Sequence, residues 1–303
     1  MSIFLINYIP VLFTYYWIYH HQAINLLYFI FIILPLMELL IPLPLYFLKS
    51  RPKKPIDHLL LYLWFPMEII MFFLFVFTQQ LTLANSVVMG LIMGLGINIA
   101  HELIHKPYPI PKWFGRRLLE FCGYGHWEWQ HILCHHKNVG YPTDPATAPK
   151  GMSVYKFISK SIKGTLKQAW DTDSEQLVIT LHRSLMINFT FFLFFGVHVA
   201  IFHLHSAFIS IMFLETINYL EHYGLTRKEN ELVNETHSWD APYGWSSLIL
   251  FKLTFHSDHH INAWKSYPEL KVRENSPKYR FSYPVMFLMS LVPPLFFWVT
   301  NNV

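Results

Sequence analysis

The sequence predicts an all-α, polytopic membrane protein with six transmembrane helices and a histidine-rich domain on the cytoplasmic side. Of its 303 residues, 53% are hydrophobic and only 14% are charged, which is typical of proteins that cross a bilayer several times. Six apolar runs each approach the roughly 20 residues that a helix needs to cross the hydrocarbon layer. The chain also contains 18 histidines, several of them grouped near the ends of these runs.

The six predicted spans form three hairpins with short turns. The turns "HHQAI", "TQQLT" and "FHLHS" contain no lysine or arginine, whereas the opposite span ends are basic. Because basic residues concentrate on the cytoplasmic side, both termini and every long loop are predicted to face the cytoplasm. The predicted spans are residues 3–19, 24–48, 59–78, 82–100, 184–203 and 206–222. The basic residues that set the orientation are Lys49, Arg51, Lys53, Lys54, Lys106, Lys112, Arg116, Arg117, Arg183, Arg227 and Lys228.

The longest loop contains an amphipathic segment, "SVYKFISKSIKGTLKQAW". Apolar residues recur every four positions with lysines between them, which predicts a helix lying along the cytoplasmic membrane surface. The alternative is a helix packed on the rest of the cytoplasmic domain. The apolar positions are Val154, Ile158, Ile162, Leu166 and Trp170, and the lysines are Lys156, Lys160, Lys163 and Lys167.

The C-terminal segment "SYPVMFLMSLVPPLFFWV" is apolar, but paired prolines interrupt it. Proline removes a backbone hydrogen bond and breaks a continuous helix. We therefore predict that this segment docks at the membrane interface and does not form a seventh span.

The fourth span ends in "GINIAHELIHK", where the first pair of candidate ligands lies. His101 and His105 are four residues apart and share a helix face with Asn98. Taken alone, this spacing is that of a zinc protease with Glu102 as the general base. On its own the motif does not distinguish a metal site from a chance spacing. The other histidine groups of the chain make a metal site the better interpretation.

The following segment, "GYGHWEWQHILCHHKNVGYPTDPATA", carries the second group. His131 and His135 repeat the spacing of four, and His136 adjoins them. A helix that presents these three can give two ligands to one metal and a third to a second metal. For His126, which comes earlier, a structural hydrogen bond explains its presence as well as ligation does.

The sixth span carries a polar stripe in "FLETINYLEHYGL". Glu215, Asn218 and His222 are spaced along one face of a helix. Ionisable groups at membrane depth are costly and usually face a functional site. The alternative is a stripe that only joins helices to one another.

The segment "FKLTFHSDHHINAW" supplies the last three candidate ligands, His256, His259 and His260. Nine imidazoles then come from four segments, each at or just beyond a cytoplasmic span end, and we predict that they form one site. Nine ligands exceed the four of a tetrahedral zinc site and fit two metals with open positions. Imidazole suits iron, copper, nickel or zinc, so nitrogen ligands alone leave the metal open.

Nearby carboxylates are candidates for orienting the ligand imidazoles through the second ring N–H. For each of them a cap or surface role is an equally good explanation. The candidates are Glu102, Asp144, Glu221 and Asp258, beside the buried stripe of Glu215 and Asn218. The histidines interpreted as bystanders are His20, His21, His58, His182, His198, His203 and His205.

Composition excludes several other classes. Two cysteines, Cys122 and Cys134, leave no disulfide framework and no cysteine-ligated iron–sulfur cluster, and the chain has no glycine fingerprint for a nucleotide. The formal net charge is only +4, and the basic residues lie at the predicted cytoplasmic span ends, where they set the membrane orientation. Nucleic acid is therefore not an expected partner. A metal transporter would need polar residues distributed through the spans, whereas here they collect on one side.

The histidine blocks resemble those of the integral-membrane, non-haem di-iron alkane monooxygenases, within the fatty acid desaturase-like superfamily. "NIAHELIHK", "HILCHHKNVGYPTDPA", "LETINYLEHYGL", "HSW" and "HSDHH" occur in that family's order and at similar separations. The resemblance covers residues from about 90 to the end, and "NYLEHYGL" is its most specific part. Departures are Gln130, Cys134 and Asp240, where the family usually has Glu, Gly and Asn. None of them removes a ligand.

The resemblance implies a cytoplasmic catalytic domain in which nine histidines bind two iron ions, with no catalytic residues beyond these ligands. It divides the chain into residues 1–225, a six-span domain that includes loop 106–182, and residues 226–303, a cytoplasmic segment that completes the di-iron site. The implied ligands are His101, His105, His131, His135, His136, His222, His256, His259 and His260.

The implied reaction is hydroxylation of the terminal methyl group of a medium- or long-chain alkane to a primary alcohol. The apolar substrate enters from the bilayer lipids, and electrons come from a rubredoxin or ferredoxin that docks near Arg116 and Arg117. These basic residues are explained equally well as topology determinants. A xylene-type methyl hydroxylase and a fatty-acyl desaturase or hydroxylase remain alternatives, and a membrane zinc protease leaves six clustered histidines unexplained.

Overall fold

The computed structural model describes residues 3–301, and within them it confirms the all-α prediction. The described chain contains an isolated bridge between Asp240 and Lys278 in addition to its helices. Short 3-10 segments lie at Ile3–Asn7, Leu45–Leu48, Glu235–His237 and Tyr267–Glu269, and π-helical segments lie at Phe29–Ile33 and Gln130–His135. The α-helices in chain order are α1 (Tyr8–Tyr19), α2 (Asn25–Tyr28), α3 (Leu34–Leu40), α4 (Pro55–Phe77), α5 (Leu83–Ile104), α6 (Pro109–Phe121), α7 (Trp127–Trp129), α8 (His136–Asn138), α9 (Val154–Phe195), α10 (Val197–His222), α11 (Gly244–Ile249), α12 (His256–Ile261), α13 (Tyr283–Ser290) and α14 (Pro293–Thr300).

The described chain divides into two compact units, each assembled from three separate stretches. The first unit comprises residues 3–29, Lys54–Glu128 and Ala169–Leu214. The second unit comprises Ile30–Lys53, Trp129–Gln168 and residues 215–301. The predicted division after residue 225, with loop 106–182 counted in the six-span domain, concerns the membrane topology and stays a prediction.

Within residues 3–301, four helices are long and apolar enough to cross a membrane: α4, α5, α9 and α10. The predicted third and fourth spans coincide with α4 and α5. Within the first unit, α5 and α10 approach closely because α5 has no side chain at Gly90. A Cβ there would lie 2.6 Å from Cβ of Ile209 and 2.7 Å from the carbonyl oxygen of Ser206. Such small residues let membrane helices pack backbone to backbone.

The predicted position of the turn between the fifth and sixth spans is wrong by several residues. The structure continues α10 through "FHLHS" and makes its turn at Gly196, where φ is +86°. Glycine adopts this left-handed conformation without steric cost, and it commonly ends a helix in this way. The apolar run carries no polar residue next to Gly196, so hydropathy alone placed the turn too late.

The second predicted span, residues 24–48, is not one continuous helix. The chain forms α2, a π-helical segment and α3, and the helix ends at Leu40 before Pro42 and Pro44. Proline disfavours helical backbone in the residue before it, which explains the break. The stretches Ile3–Tyr19 and Asn25–Leu40 are shorter apolar helices. The count of six spans therefore stays a prediction.

The amphipathic loop segment forms the first part of α9, which is interrupted by non-helical backbone at Asp173. Its buried face includes Phe157, Ser161 and Thr165, and of the predicted apolar stripe only Val154 is fully buried. The ring of Phe157 lies 5.5 Å from that of Tyr219 within the second unit. These contacts favour the alternative of a helix packed on the protein. Contact of its outer face with the membrane stays a prediction.

The C-terminal apolar segment is divided, as its paired prolines predicted. It forms α13 and α14, each of eight residues, which are too short to cross a bilayer. The hydroxyl of Tyr155 donates to the carbonyl of Leu291 between them at 2.7 Å. Docking of this segment at the membrane interface stays a prediction.

Candidate metal centre

Seven of the nine predicted histidine ligands lie in the second unit, and their ring nitrogens form two groups. In the first group, Nε2 of His136 lies 3.0 Å from Nε2 of His131 and 3.2 Å from Nε2 of His259. The ligand atoms of these three residues all lie within 4.8 Å of one another. This spacing is what three ligands of a common metal ion require.

The second group contains His135, His222, His256 and His260. Nε2 of His256 lies 3.3 Å from Nε2 of His222 and 3.0 Å from Nε2 of His260. The ring centroid of His135 lies 4.8 Å from that of His222. His222 belongs to two candidate ligand sets, one with His135 and His260 and the other with Glu221 and His256.

The local backbone explains how neighbouring histidines reach different groups. His131 and His135 lie in a π-helical segment, Gln130–His135, rather than in the α-helix that their spacing predicted. A π-helical turn is wider than an α-helical turn and is frequent at functional sites. The structure places His131 and His136 in the first group and His135 in the second.

The donor set fits metal ions bound by nitrogen. Burial lowers the pKa of His260 well below its usual value, and the imidazoles of His136, His256, His222 and His135 lower it further. The ring is therefore neutral, which is the form that binds a metal. Nε2 of His136 faces two other Nε2 atoms at about 3 Å and can form a good hydrogen bond with only one of them, whereas a cation between the three would bind them all. Imidazole ligands suit iron, copper, nickel and zinc.

Oxygen atoms contact the other ring nitrogen of several ligands. Nδ1–H of His135 donates to Asp144 at 2.9 Å, and Nδ1–H of His222 donates to the carbonyl of His237 at 3.2 Å. Nδ1 of His256 lies 3.3 Å from a carboxylate oxygen of Glu221. The two hydrogen bonds fix the tautomers of His135 and His222 and leave the Nε2 lone pair of each available for a metal. The role of the His237 carbonyl was not predicted from the sequence.

Asp144 is held rigidly enough to act in this way. Its side chain is fully buried and accepts hydrogen bonds from Thr147 Oγ1 at 2.7 Å and from the backbone N–H of Ala146 at 3.1 Å. Burial alone would raise the pKa of Asp144, but the adjacent His135 and the hydroxyl of Thr147 outweigh it, and the pKa is lowered. The carboxylate is therefore ionised and accepts a hydrogen bond from Nδ1–H of His135, which keeps its proton.

Replacing Asp144 with asparagine is expected to weaken metal binding by about 10- to 100-fold, the usual cost of losing such a partner. Asparagine keeps the size of the side chain but removes its negative charge. Metal affinity would be measured by competition with a chelator, with the exposed Asp171→Asn as the matched control. Equal affinities in the Asp144 and Asp171 variants would contradict this role.

Two buried carboxylates hold α12, which carries three of the candidate ligands. Asp240 accepts from the backbone N–H of Ser257 at 2.9 Å and from the Ser257 and Ser276 hydroxyls at 2.8 and 2.7 Å. Asp258 accepts from Arg273 Nε at 2.7 Å and lies 3.4 Å from Lys265 Nζ. Asp258 thus pairs with Arg273 and Lys265, whereas the sequence analysis predicted that it would orient a ligand imidazole.

The structural roles of Asp240 and Arg273 were not predicted. In the sequence analysis, Asp240 appeared only as a position where the family usually has Asn. For Asp240, the only sequence signal is that its carboxylate directly follows "HSW". Arg273 lies 15 residues after its partner Asp258, too far for a local pattern to connect them. Burial raises the pKa of Asp240, while the hydrogen bonds from Ser257 and Ser276 lower it in part. These contacts position α12 without involving the ring nitrogens.

The other two predicted ligands, His101 and His105, lie at the end of α5 in the first unit. Their ring centroids are 5.1 Å apart, and the ring of His101 lies 5.7 Å from that of Trp127. Glu102 forms an ion pair with Lys106 at 2.6 Å. His126, also in this unit, is buried with its ring 4.6 Å from that of Tyr124. Burial lowers its pKa to about 4.

The predicted polar stripe of α10 ends in the second unit. Glu215, Asn218 and His222 are all buried there. The acidic side chain of Glu215 lies two turns before His222 and the amide of Asn218 one turn before it, and both are buried as a polar stripe on one helix face would be. Their contact with a metal ligand stays a prediction.

Comparison with known proteins gives consistent similarities. The fatty acid desaturase family model matches residues 78–287, more than half of the chain. The chain is 34% identical to alkane 1-monooxygenase 2 of Alcanivorax borkumensis and 35% identical to alkane 1-monooxygenase 1 of Pseudomonas aeruginosa. Each alignment covers 68% of this chain and 59% of the relative. The chain thus spans less than two thirds of the length of these relatives.

A more distant similarity connects the chain to a hydroxylase of alkyl aromatics. It is 25% identical to the hydroxylase component of xylene/toluene monooxygenase of Pseudomonas putida, over 66% of this chain and 58% of the relative. The four long apolar helices and the similarity to these proteins identify the chain as an integral membrane protein. The resemblance to alkane monooxygenases that the histidine blocks predicted is confirmed.

Proposed function

Because the chain belongs to the fatty acid desaturase family, we propose that it is a membrane monooxygenase of the alkane 1-monooxygenase type. The proposed reaction converts the terminal methyl group of a medium- or long-chain alkane into a primary alcohol. The observation that carries this proposal is the pair of imidazole groups in the second unit, with His131, His136 and His259 in one and His135, His222, His256 and His260 in the other.

The proposed ligand set adds His101 and His105 to these seven histidines. Three arguments support the addition: their spacing of four residues, their place at the end of a membrane helix, and the resemblance of "NIAHELIHK" to the family block. Nine imidazoles provide for two metal ions with coordination positions left for other ligands. We infer that the metals are two non-haem irons, as the resemblance of the histidine blocks to the alkane monooxygenase family implies.

Iron at this site would supply the redox chemistry that activates O2, which no side chain supplies alone. The net reaction balances as one alkane, one O2, two electrons and two protons giving one alcohol and one water. Because no nucleotide fingerprint is present, the electrons come from an external carrier, and we propose a rubredoxin or ferredoxin.

The protein's own residues orient and shield the proposed site. Asp144 and the His237 carbonyl hold the ring protons of their histidines on Nδ1, so that Nε2 is directed to the metal. We propose that Glu221 does the same for His256, from 3.3 Å. Glu215 and Asn218 are buried on the same helix as His222, and we propose that they add polar contacts to the site.

We further propose that the site lies at the cytoplasmic end of six spans, with both termini on that side. Lysine and arginine are absent from the opposite turns, which supports this orientation. An alkane dissolved in the bilayer would then reach the site between apolar helices, and the electron carrier would approach from the cytoplasm. Reporter fusions at the two termini test the orientation directly.

The test of the proposed function is metal analysis of the purified chain followed by turnover of dodecane under 18O2. A ferredoxin and its reductase would supply electrons, and products would be separated by gas chromatography. We expect two irons per chain and 1-dodecanol that contains one labelled oxygen atom. One zinc per chain with no oxygen consumption would contradict the proposal.

The substrate class is tested in the same assay. The similarity to the xylene/toluene monooxygenase component favours a second candidate, methyl hydroxylation of an alkyl aromatic. Faster turnover of xylene than of dodecane would select that candidate. A double bond introduced into an acyl chain, with no alcohol formed, would instead indicate a desaturase.

A further inference from the structure

The first unit contains a basic cavity that holds none of the proposed metal ligands. It has a volume of about 590 Å³ and lies between α6 and the second part of α9. Its lining includes Lys112, Arg116, Arg117 and Arg183, together with the indole of Trp113. A cavity of this size accommodates a small polar ligand or the headgroup of a lipid.

The basic groups are held in place by two buried carboxylates. Glu120 pairs with Arg117 at 2.8 Å and with Arg183 at 3.2 Å, and Glu128 pairs with Arg116 Nε at 2.6 Å. The guanidinium of Arg117 also lies 5.9 Å from the centre of the Trp113 ring. A guanidinium fixed in this way loses little side-chain entropy when it binds a second anion.

The charge balance leaves the cavity positive. Four basic side chains lie against two carboxylates, and the arginines have N–H donors beyond those used by the carboxylates. Within the described residues, Nε of Arg117 is buried and has no hydrogen-bond partner. A net charge of about +2 with planar donors matches a phosphate group, which arginine binds through two parallel hydrogen bonds.

The surroundings of the cavity are apolar and exposed. Trp113 is 50% exposed, and Tyr108 and Ile110 at the start of α6 are each 64% exposed. α6 follows α5 after a short turn, and Arg183 belongs to the part of α9 that continues into the apolar stretch ending at Phe195. Aromatic and basic residues together at the end of membrane helices are typical of the headgroup layer.

We propose that this cavity binds the phosphate group of an anionic phospholipid, with Trp113, Tyr108 and Ile110 in contact with its glycerol and acyl region. A soluble acidic protein would also be attracted by the charge, but it would not match the exposed apolar side chains beside it. A free phosphate would leave them in water. The lipid satisfies both features, and it anchors α6 directly after the end of α5.

The test is native mass spectrometry of the full chain in detergent, titrated with phosphatidylglycerol or with phosphatidylcholine. We expect the chain to retain phosphatidylglycerol in preference to phosphatidylcholine. The double variant Lys112→Gln/Arg183→Gln is expected to weaken this retention by roughly 25-fold, since each basic residue near an anionic lipid contributes about a factor of five. Both side chains are partly exposed, and the change leaves Glu120 paired with Arg117.

The matched control is Lys228→Gln/Arg280→Gln, which removes the same two residue types from exposed positions in the second unit. Equal loss of lipid in both double variants, or no loss in either, would overturn the proposal. So would retention of inorganic phosphate without any lipid preference. A cavity variant that retains lipid normally but is reduced more slowly by an acidic ferredoxin would assign the cavity to the electron donor instead. None of the lipid measurements requires metal or turnover, so they are independent of the proposed hydroxylation.

Discussion

For the proposed hydroxylation, replacing His222 with alanine is expected to lower alcohol formation by roughly three orders of magnitude or more. His222 occupies a shared position, because its Nε2 lies 3.3 Å from that of His256 and its ring centroid lies 4.9 Å from that of His260. Its removal therefore disturbs two candidate ligand sets at once. Iron measured per chain by mass spectrometry is expected to fall below two.

The matched control is His182→Ala, which removes an exposed imidazole from α9 in the first unit. This variant is expected to keep the iron content and turnover of the parent chain. Thermal unfolding separates loss of metal from loss of the fold. A His222 variant that has lost only its metal should unfold at the same temperature as the metal-free parent chain. Full iron content in the His222 variant would show that this histidine is not a ligand.

The sequence indicated which histidines to consider, because their grouped spacing and their position at span ends are visible without coordinates. It could not indicate how they are divided between two groups. That division depends on the π-helical turn at Gln130–His135, where no residue type marks the change from α-helical hydrogen bonding. Residues five apart, such as His131 and His136, lie on different faces of an ideal α-helix, and the wider π-helical turn brings them together.

Helix boundaries were predicted where polar residues mark them and missed where they do not. The start of α5 follows Thr82, whose hydroxyl accepts from the backbone N–H of Asn85 at 3.2 Å, a recognisable cap. The turn at Gly196 lies in an uninterrupted apolar run, so the only signal was the glycine itself. A glycine within a membrane helix is common, and it does not by itself predict a turn.

The roles of the carboxylates were the least predictable part of the site. Asp144 contacts a ligand imidazole, whereas Glu102 pairs with Lys106 and Asp258 pairs with Arg273. All three lie within ten residues of a candidate ligand in the sequence. Which partner each one meets depends on the path of the chain between segments, and local spacing contains no information about that path.

Replacing Asp258 with alanine is expected to lower the free energy of unfolding by about 3–5 kcal/mol, the usual cost of leaving one member of a buried ion pair alone. Asp258 is fully buried and accepts from Arg273 Nε at 2.7 Å, from Asn262 Nδ2 at 2.8 Å and from the backbone N–H of Lys271 at 3.0 Å. Alanine would leave these donors without an acceptor. Since Asp258 lies on α12, metal binding should fall with stability.

Denaturant unfolding of the metal-free chain measures the effect on the fold, and iron affinity measures the effect on the site. The control is Glu274→Ala, which removes an exposed carboxylate beside Arg273 and should change stability by less than about 0.5 kcal/mol. The double variant Asp258→Leu/Arg273→Met should be more stable than Asp258→Ala, because an apolar pair leaves no unpaired charge buried. If Asp258→Ala unfolds at the same denaturant concentration as the control, then the pair does not hold α12, and the three histidines on that helix are positioned by their own packing instead.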